Sequence, residues 1–118
     1  MTASQQLAAI PAADIALLGG GRVADLGGAA GRSTIDIALA YPEALVDVFD
    51  DDVAAIDAAR ADARSLRVTG RVAFRHVDAA RLRAADLPVY DVVVTRPHLR
   101  EAAGRLAGRD AVIVVREP

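Results

Sequence analysis

The sequence at residues 22–32 is Arg22-Val23-Ala24-Asp25-Leu26-Gly27-Gly28-Ala29-Ala30-Gly31-Arg32. A short apolar run is followed by a carboxylate, a turn of small residues and a segment typical of a helix, which predicts a strand, a tight loop and a helix. Glycines let the backbone turn sharply and approach a ligand closely, and the helix N-terminus presents free N–H groups and a partial positive charge. The stretch therefore predicts half of a nucleotide-binding βαβ unit.

The acidic cluster Asp50-Asp51-Asp52 belongs to the other half of this unit. It follows a second predicted strand, residues 45–49, about 20 residues after the small-residue turn. A carboxylate at the end of such a strand can accept hydrogen bonds from a ribose diol. Carboxylate oxygens also bind hard cations, but an N-cap role for Asp52 and a solvated loop position for Asp51 account for two of the three without an ion. We therefore predict no metal site.

The turn distinguishes between two classes of nucleotide ligand. A dinucleotide site has the pattern G-x-G-x-x-G, and counting from Gly27 this chain has Ala29 and Arg32 at the second and third glycine positions. The residues match acidic-x-Gly-x-Gly-x-Gly from Asp25 to Gly31, with Ala29 in place of the middle glycine. This pattern resembles motif I of the class I S-adenosylmethionine-dependent methyltransferases.

The resemblance extends over residues 22–116 and implies S-adenosylmethionine as the cofactor. It implies that the glycine loop packs on the methionine part of the cofactor, that Asp50 holds the ribose hydroxyls, and that Asp78 with Ala79 flanks the adenine. Residues 90–95 are similar to the motif IV strand of the family. The cofactor-binding residues expected on this basis are Asp25, Gly27, Gly28, Ala29, Gly31, Asp50, Asp51, Asp78, Ala79 and Thr95.

Three features depart from the family pattern. Ala29 adds a Cβ where the family has bare backbone, which costs about 1 kcal/mol or more if that position needs a positive φ. Asp51 stands where many members place an apolar residue over the adenine. The family's sheet usually continues with two strands beyond the fifth, and here we expect a sheet that is truncated after the fifth strand and lacks much of the substrate-side wall.

Strand and helix alternate from residue 22 onward, which predicts an α/β fold with a doubly wound, three-layer, Rossmann-like parallel sheet. Right-handed crossovers and a reversal after the first βαβ pair predict the strand order 3-2-1-4-5, with ligands beyond the carboxyl ends of the strands. The predicted strands are residues 22–26, 45–49, 72–77, 90–95 and 111–115. The predicted helices are residues 32–41, capped by residues 33–36, then 52–65 and 97–106, with a short helix or loop at 81–85.

We predict an N-terminal helical segment, residues 1–20, before a core domain of residues 21–118. The segment is rich in alanine and predicts helices at residues 4–10 and 12–18, the second ended by three glycines. We expect these helices to pack across the sheet edge or against a partner.

The composition limits the class of protein. The 118 residues allow one domain, and because 53% are hydrophobic but only 3% aromatic, the core must consist mainly of Ala, Val, Leu and Ile. A net charge of −2 without a basic stripe argues against nucleic acid as a partner, and the lack of cysteine excludes disulfides and thiolate metal sites. No apolar run approaches the ~18 residues of a membrane span. We expect a cytoplasmic protein that binds neither nucleic acid nor membrane.

The catalytic residue is unknown, with His98 as a candidate. It follows Pro97 at the mouth of the predicted cleft, where an imidazole can act as a general base near neutral pH, although a lone histidine at a helix start is more often simply exposed. His76 lies within the third strand and is interpreted as structural. Asp78 is either a solvated strand end or an adenine contact.

The resemblance implies a protein that binds S-adenosylmethionine or S-adenosylhomocysteine and methylates a small molecule when a partner or a second copy completes the site. The alternative is a non-catalytic methyltransferase-like subunit or interaction module. Residues 112–115, all Val or Ile, would form a flat apolar edge of the kind that proteins rarely leave exposed. We expect a second copy of the chain, the N-terminal helices or another subunit to cover this edge.

Overall fold

A five-stranded parallel sheet with helices on both faces forms the structure, a computed structural model that describes residues 1–30 and 32–117. The strands are β1 (Arg22–Leu26), β2 (Leu45–Asp50), β3 (Val72–His76), β4 (Tyr90–Thr95) and β5 (Ala107–Val115). The α-helices are α1 (Ala3–Ala8), α2 (Pro11–Leu18), α3 (Ser33–Ala40), α4 (Val53–Ser65) and α5 (Arg100–Leu106). Short 3₁₀ turns occupy Thr69–Arg71, Ala79–Arg81, Ala84–Asp86 and Pro97–Leu99.

The strand order is β3-β2-β1-β4-β5, which confirms the predicted topology. All neighbouring strands are parallel, and Val23 of β1 pairs with Val46 of β2 on one side and Val92 of β4 on the other. Central strands of a parallel sheet are covered on both faces, which is why these strands are nearly continuous apolar runs. The chain reverses direction across the sheet between β3 and β4, so a crevice opens where the carboxyl ends of β1 and β4 diverge.

The predicted elements differ from the observed ones mainly at their ends. β1 and β4 have the predicted bounds, and α4 begins directly after Asp52, whose side chain accepts the N–H of Ala55 at 3.1 Å as an N-cap. β5 is longer than predicted because it already pairs with β4 at Ala107. The helix predicted after Pro97 is divided into a 3₁₀ turn and α5.

The N-terminal helices lie over one face of the sheet, and α1 also contacts its edge, where Nε2 of Gln6 donates to the carbonyl of Val115 in β5 at 3.2 Å. Leu7 of α1 and Leu17 of α2 are fully buried in the same hydrophobic cluster as Val23 and Val92. A parallel sheet needs apolar cover on both faces, and these two helices supply part of it. The predicted boundary between residues 20 and 21 stays a prediction.

The start of α3 is not capped by residues 33–36 as predicted. Its N-cap is Arg32, which has a left-handed backbone (φ 61°) and makes no side-chain cap bond, while Asp36 accepts hydrogen bonds from Ser4 at 2.6 and 2.9 Å. Ser33 and Thr34 donate instead to Asp25 of β1. A buried carboxylate without hydrogen-bond donors costs more free energy than the unpaired N–H groups of an exposed helix end. The two hydroxyls therefore donate to Asp25 and do not cap α3.

Candidate functional site

A cleft of about 380 Å³ lies at the carboxyl ends of the central strands, within the range of roughly 300–1,000 Å³ that is usual for ligand sites. We call this site the cleft. Its position beside the reversal in strand order is the one predicted from the topology. The residues that line it are Gly27, Ala30, Phe49, Asp50, Asp51, Asp52, Asp78, Ala79, Ala80, His98 and Leu99.

Five of the residues predicted to bind a cofactor, and the candidate His98, line the cleft. The five are Gly27, Asp50, Asp51, Asp78 and Ala79. The other predicted residues that the structure describes lie beneath its surface, all of them buried: Asp25, Gly28, Ala29 and Thr95. Gly31 was also predicted, and it lies outside the described residues.

The sequence analysis missed five lining residues: Ala30, Phe49, Asp52, Ala80 and Leu99. Each of the five is the chain neighbour of a predicted residue. Phe49 and Leu99 supply apolar surface from β2 and from the 3₁₀ turn after β4. Each fits an ordinary core position in the sequence, and the tertiary structure is needed to show that they face the same space.

Gly27 is at the tightest point of the loop after β1. Its φ is 75°, a left-handed conformation that strains residues with a Cβ, and an added Cβ would lie 3.1 Å from Cδ1 of Leu99. A Cβ at Gly28 would overlap the carboxylate of Asp25, which lies directly below. Both glycines are therefore required by the shape of this loop.

Ala29 fits the loop without strain. It is not among the described residues with a positive φ, and its methyl group packs with Val48 and Ile56 under the loop, away from the cleft. Because position 29 has no positive φ, the replacement of glycine by alanine there causes no backbone strain. The Cβ of Ala29 leaves the cleft open for a ligand.

Asp50 joins the loop after β1 to the end of β2. The residue is only 7% exposed, Oδ2 accepts the N–H of Ala29 at 3.2 Å, and Oδ1 accepts the N–H of Asp52 at 3.0 Å. A carboxylate has about four acceptor sites, so lone pairs remain for hydroxyl donors in the cleft. Asp50 thus holds the loop and can accept hydrogen bonds from a ligand at the same time.

Asp25 lies under the loop and has no exposed surface. Its Oδ2 accepts hydrogen bonds from the hydroxyls of Ser33 and Thr34, both at 2.7 Å, while Oδ1 has no partner among the described residues. Burial raises the pKa of this carboxyl group; the two hydroxyl bonds and the charge of Arg96 oppose the rise, and the charge of Asp50 adds to it. Asp25 therefore connects β1 to α3 at an electrostatic cost.

Asp78 and Asp51 form the side of the cleft next to β3. Oδ1 of Asp78 accepts the N–H of Ala80 at 3.0 Å and so caps the following 3₁₀ turn. The backbone carbonyl of Asp51 lies 2.9 Å from Nε2 of His76, which ties the two loops together. His76, interpreted as structural from the sequence, is exposed at the strand end apart from this contact.

His98 is exposed at the opposite side of the cleft, beside the buried Leu99. Within residues 1–30 and 32–117, no group of three or more His, Cys, Asp or Glu side chains is placed to hold a metal ion. In the same part of the chain, no helix is long and apolar enough to span a membrane.

The strand order, the glycine loop after β1 and the carboxylate at the end of β2 define a Rossmann-like domain with its cleft at the switch point. The sequence model of the methyltransferase small domain family matches residues 4–112, and the chain belongs to this family. The match confirms the resemblance to methyltransferases that was recognised from residues 25–31.

Solved structures share this fold at low sequence identity. A methyltransferase from Thiobacillus denitrificans, described as dependent on S-adenosylmethionine and solved with S-adenosyl-L-homocysteine, is 22% identical, with a TM-score of 0.72 over 94% of this chain and 47% of its own. A similar enzyme from Geobacter sulfurreducens, also solved with S-adenosyl-L-homocysteine, is 23% identical, with a TM-score of 0.70 over 81% of this chain and 41% of its own. YjhP from E. coli is 22% identical, with a TM-score of 0.71 over 81% of this chain and 42% of its own.

This chain thus spans less than half the length of each of these three structures. At these identities the likeness shows the fold alone. Among proteins with curated functions, none matches the sequence significantly.

Proposed function

We propose that this chain binds S-adenosylmethionine, and its product S-adenosylhomocysteine, in the cleft. The observation that carries the proposal is Asp50, which is nearly buried, holds the glycine loop against β2 and still has free acceptor sites beside an open cleft. Membership of the methyltransferase small domain family supports the choice of ligand, as do similar folds solved with S-adenosylhomocysteine.

We propose one orientation for the cofactor in the cleft. The ribose hydroxyls donate to Asp50, the adenine lies toward Asp78, Ala79 and Asp51, and the methionine part extends along the loop at Gly27. Leu99, 8% exposed, supplies apolar surface between the polar ends, and the fully buried Phe49 belongs to the same hydrophobic cluster beneath it. In this placement, Asp25, Gly28, Ala29 and Thr95 shape the loop from below and do not touch the ligand.

Methyl transfer to a small molecule is the activity we propose for the bound cofactor. The methyl group of a sulfonium is already activated, so the reaction depends mostly on holding the acceptor in line with it, and few protein groups need to move protons. His98, exposed at the cleft, is placed to accept a proton from an acceptor. We infer that a partner chain or a second copy supplies the remaining contacts to the acceptor.

Isothermal titration of the purified chain with S-adenosylhomocysteine tests the cofactor site. We expect micromolar binding to the unmodified chain and at least roughly tenfold weaker binding to Asp50→Asn, which keeps the size of the side chain but removes the charge. Asp50→Ala, which removes every acceptor, should bind weaker still. Asp57→Asn is the matched control, because Asp57 is an exposed carboxylate on α4 away from the cleft.

Thermal melting of each variant separates a lost ligand contact from a collapsed loop, because Asp50 also holds two backbone N–H groups. A variant that melts like the unmodified chain but binds weakly supports the proposed contact. Absence of heat and of thermal shift at millimolar S-adenosylhomocysteine would contradict the proposal and favour a non-catalytic interaction module.

A further inference from the structure

Two arginines lie side by side where β4 and β5 end. Thr95 of β4 pairs with Val115 of β5, so Arg96 and Arg116 are the next neighbours across strands that lie roughly 4.8 Å apart. The N–H of Arg116 donates to the carbonyl of Thr95 at 2.7 Å. Because residues two apart in a strand share a face, Arg116 follows the buried Val114 toward the face of the sheet that α1 and α3 cover, and Arg96 does the same in its own strand. Two positive charges therefore adjoin on this side of the sheet.

Each of the two guanidinium groups contains a buried nitrogen that has no partner among the described residues. Nη1 of Arg116 donates to the carbonyl of Met1 and to Oε1 of Gln6, both at 3.0 Å, but its Nε has no acceptor there. Nη2 of Arg96 donates to Oγ of Ser33 at 3.4 Å, but its Nη1 has no acceptor there. Buried donors without an acceptor cost free energy, and a bound water or ion commonly completes them. An anion at this place would supply the missing acceptor oxygens.

A second cavity, of about 310 Å³, opens beside these arginines. We call it the arginine pocket, and it is lined by Met1, Thr2, Ala3, Arg32, Ser33, Asp36 and Arg116. It shares no lining residue with the cleft. Arg96 connects the two cavities, because its Cγ lies 3.5 Å from the position of a Cβ at Gly27 in the cleft and its guanidinium reaches Ser33 in the arginine pocket.

The charges of the arginine pocket favour an anion. Its lining contains two arginines and one aspartate, an excess of one positive charge. Asp36 already accepts the N–H and the hydroxyl of Ser4, at 2.6 and 2.9 Å, one with each carboxylate oxygen. Nε of Arg32 lies 3.5 Å from Asp62, in a surface ion pair whose arginine side chain is 68% exposed. The cleft is lined by four aspartates, so a negatively charged group is favoured in the arginine pocket and repelled from the cleft.

We propose that the arginine pocket binds the carboxylate of a small-molecule acceptor. One carboxylate matches the excess of one positive charge, and guanidinium groups form strong paired hydrogen bonds with carboxylates. Methyl transfer requires an acceptor held beside the cofactor, and the volume of the arginine pocket lies within the usual range for a ligand site. The repulsion between the carboxylate and the cleft directs the uncharged end of the acceptor toward the cofactor. The role of acceptor rests on the proposed function, whereas the anion site itself does not.

Titration with propionate, followed by the amide signals in NMR spectra, locates the anion site in the unmodified chain. We expect millimolar binding with shifts centred on Thr2, Ser33 and Arg116 and none at Asp78 or Ala80 in the cleft. Propionamide has the same shape without the charge and should cause no such shifts at the same concentration. An absence of shifts, shifts centred on the cleft, or an equal response to propionamide would overturn the proposal.

Substitution of the two arginines tests which groups hold the carboxylate. Arg96→Gln and Arg116→Gln should each weaken propionate binding roughly fivefold or more, because each removes charge-assisted donors. Arg96→Lys keeps the charge without the planar fork and should retain part of the affinity. Arg83→Gln is the matched control, because Arg83 is exposed in a surface ion pair with Asp86 and lines neither cavity. Unchanged binding to glutamine variants that melt like the unmodified chain would overturn the proposal.

Saturation with S-adenosylhomocysteine distinguishes a carboxylate of the acceptor from that of the cofactor. We expect propionate to bind the arginine pocket with unchanged affinity when the cleft is occupied, because the two cavities share no lining residue. Displacement of propionate by S-adenosylhomocysteine but not by methylthioadenosine, which lacks the carboxylate, would assign the pocket to the cofactor and overturn the acceptor role. If propionate binds and S-adenosylhomocysteine does not, the proposed function fails and the anion site stands.

Discussion

At the scale of single residues, Asp25 holds the loop after β1 in place, but the burial of its carboxylate lowers the stability of the fold. Its carboxylate occupies the space under Gly28 and receives hydroxyl hydrogen bonds from Ser33 and Thr34, so it determines where α3 begins. It does so with no exposed surface and with one oxygen that lacks a partner among the described residues. Burial of a charge under these conditions disfavours the ionised form.

The pH dependence of stability should report this cost. Because the folded-state pKa of Asp25 is raised above its ordinary value of 3.8, the folded chain holds this proton more tightly than the unfolded chain does. The contribution of Asp25 to the free energy of unfolding therefore falls as the pH rises from about 4 through the raised pKa. In urea denaturation from pH 4 to 8, we expect the free energy of unfolding of Asp25→Asn to lack this fall. Relative to the unmodified chain, the variant should therefore become more stable as the pH rises.

Asp57→Asn is the control for that series, since Asp57 is exposed on α4. If Asp25→Asn differed from the unmodified chain by the same amount at every pH, the pKa of Asp25 would be the same in the folded and unfolded chains, and the interpretation of Asp25 would be wrong.

At the scale of elements, Arg71 fastens the end of α3 to the start of β3. Its guanidinium donates to the carbonyls of Ala38, Tyr41 and Ala44 at 2.9, 3.2 and 3.3 Å. The last carbonyls of a helix have no partner within the helix, and this side chain from a distant turn supplies a donor to one of them, Ala38, and to the carbonyls of Tyr41 and Ala44 in the loop that follows. The sequence offers no signal for the contact, because some thirty residues separate the donor from its acceptors.

Replacement of Arg71 should destabilise the fold more than replacement of a surface arginine. We expect Arg71→Ala to lower the free energy of unfolding by about 1–3 kcal/mol, because it removes three charge-assisted hydrogen bonds to partly buried carbonyls. Arg71→Lys should recover only part of the loss, since an ammonium lacks the planar fork. The exposed Arg81, in a surface ion pair with Asp78, is the control, and Arg81→Ala should stay within about 0.5 kcal/mol in urea denaturation. Equal losses for the two alanine variants would contradict the capping role.

At the scale of the whole molecule, negative charge is concentrated at the cleft. The chain has a net charge of −2, and four aspartates line this one site, Asp50, Asp51, Asp52 and Asp78. The concave shape of a cleft strengthens the field of the charges that line it. The site is therefore suited to a ligand that carries positive charge.

This charge predicts a preference between the two ligands of the proposed function. S-adenosylmethionine carries a sulfonium charge that S-adenosylhomocysteine lacks, so we expect it to bind several-fold more tightly at low salt. The preference should shrink at about 1 M salt, where the Debye length is only about 3 Å. Paired titrations at both salt concentrations measure it. Equal affinities at low salt would show that the aspartates do not act on the sulfonium, even if the cofactor binds.

The fold and the position of the site could be predicted from the sequence to a large extent. The apolar runs at residues 22–26 and 90–95, the turn at Gly27 and the handedness of crossovers determined the strand order. That order places Asp50 and Asp78 beside the cleft, because the carboxyl ends of parallel strands meet at one edge of the sheet. These features depend on local pattern and on general rules of connection.

Only the tertiary structure decided which side chains face the cleft and which support it. Asp25 is buried under the loop, Ala29 turns its methyl group into the core, and Phe49 and Leu99 meet on the cleft wall. The N-terminal helices cover one face of the sheet, and Gln6 of α1 also contacts the carbonyl of Val115 at its edge. Burial and side-chain direction depend on contacts between segments that are distant in sequence, and a local pattern of residue types carries no information about those contacts.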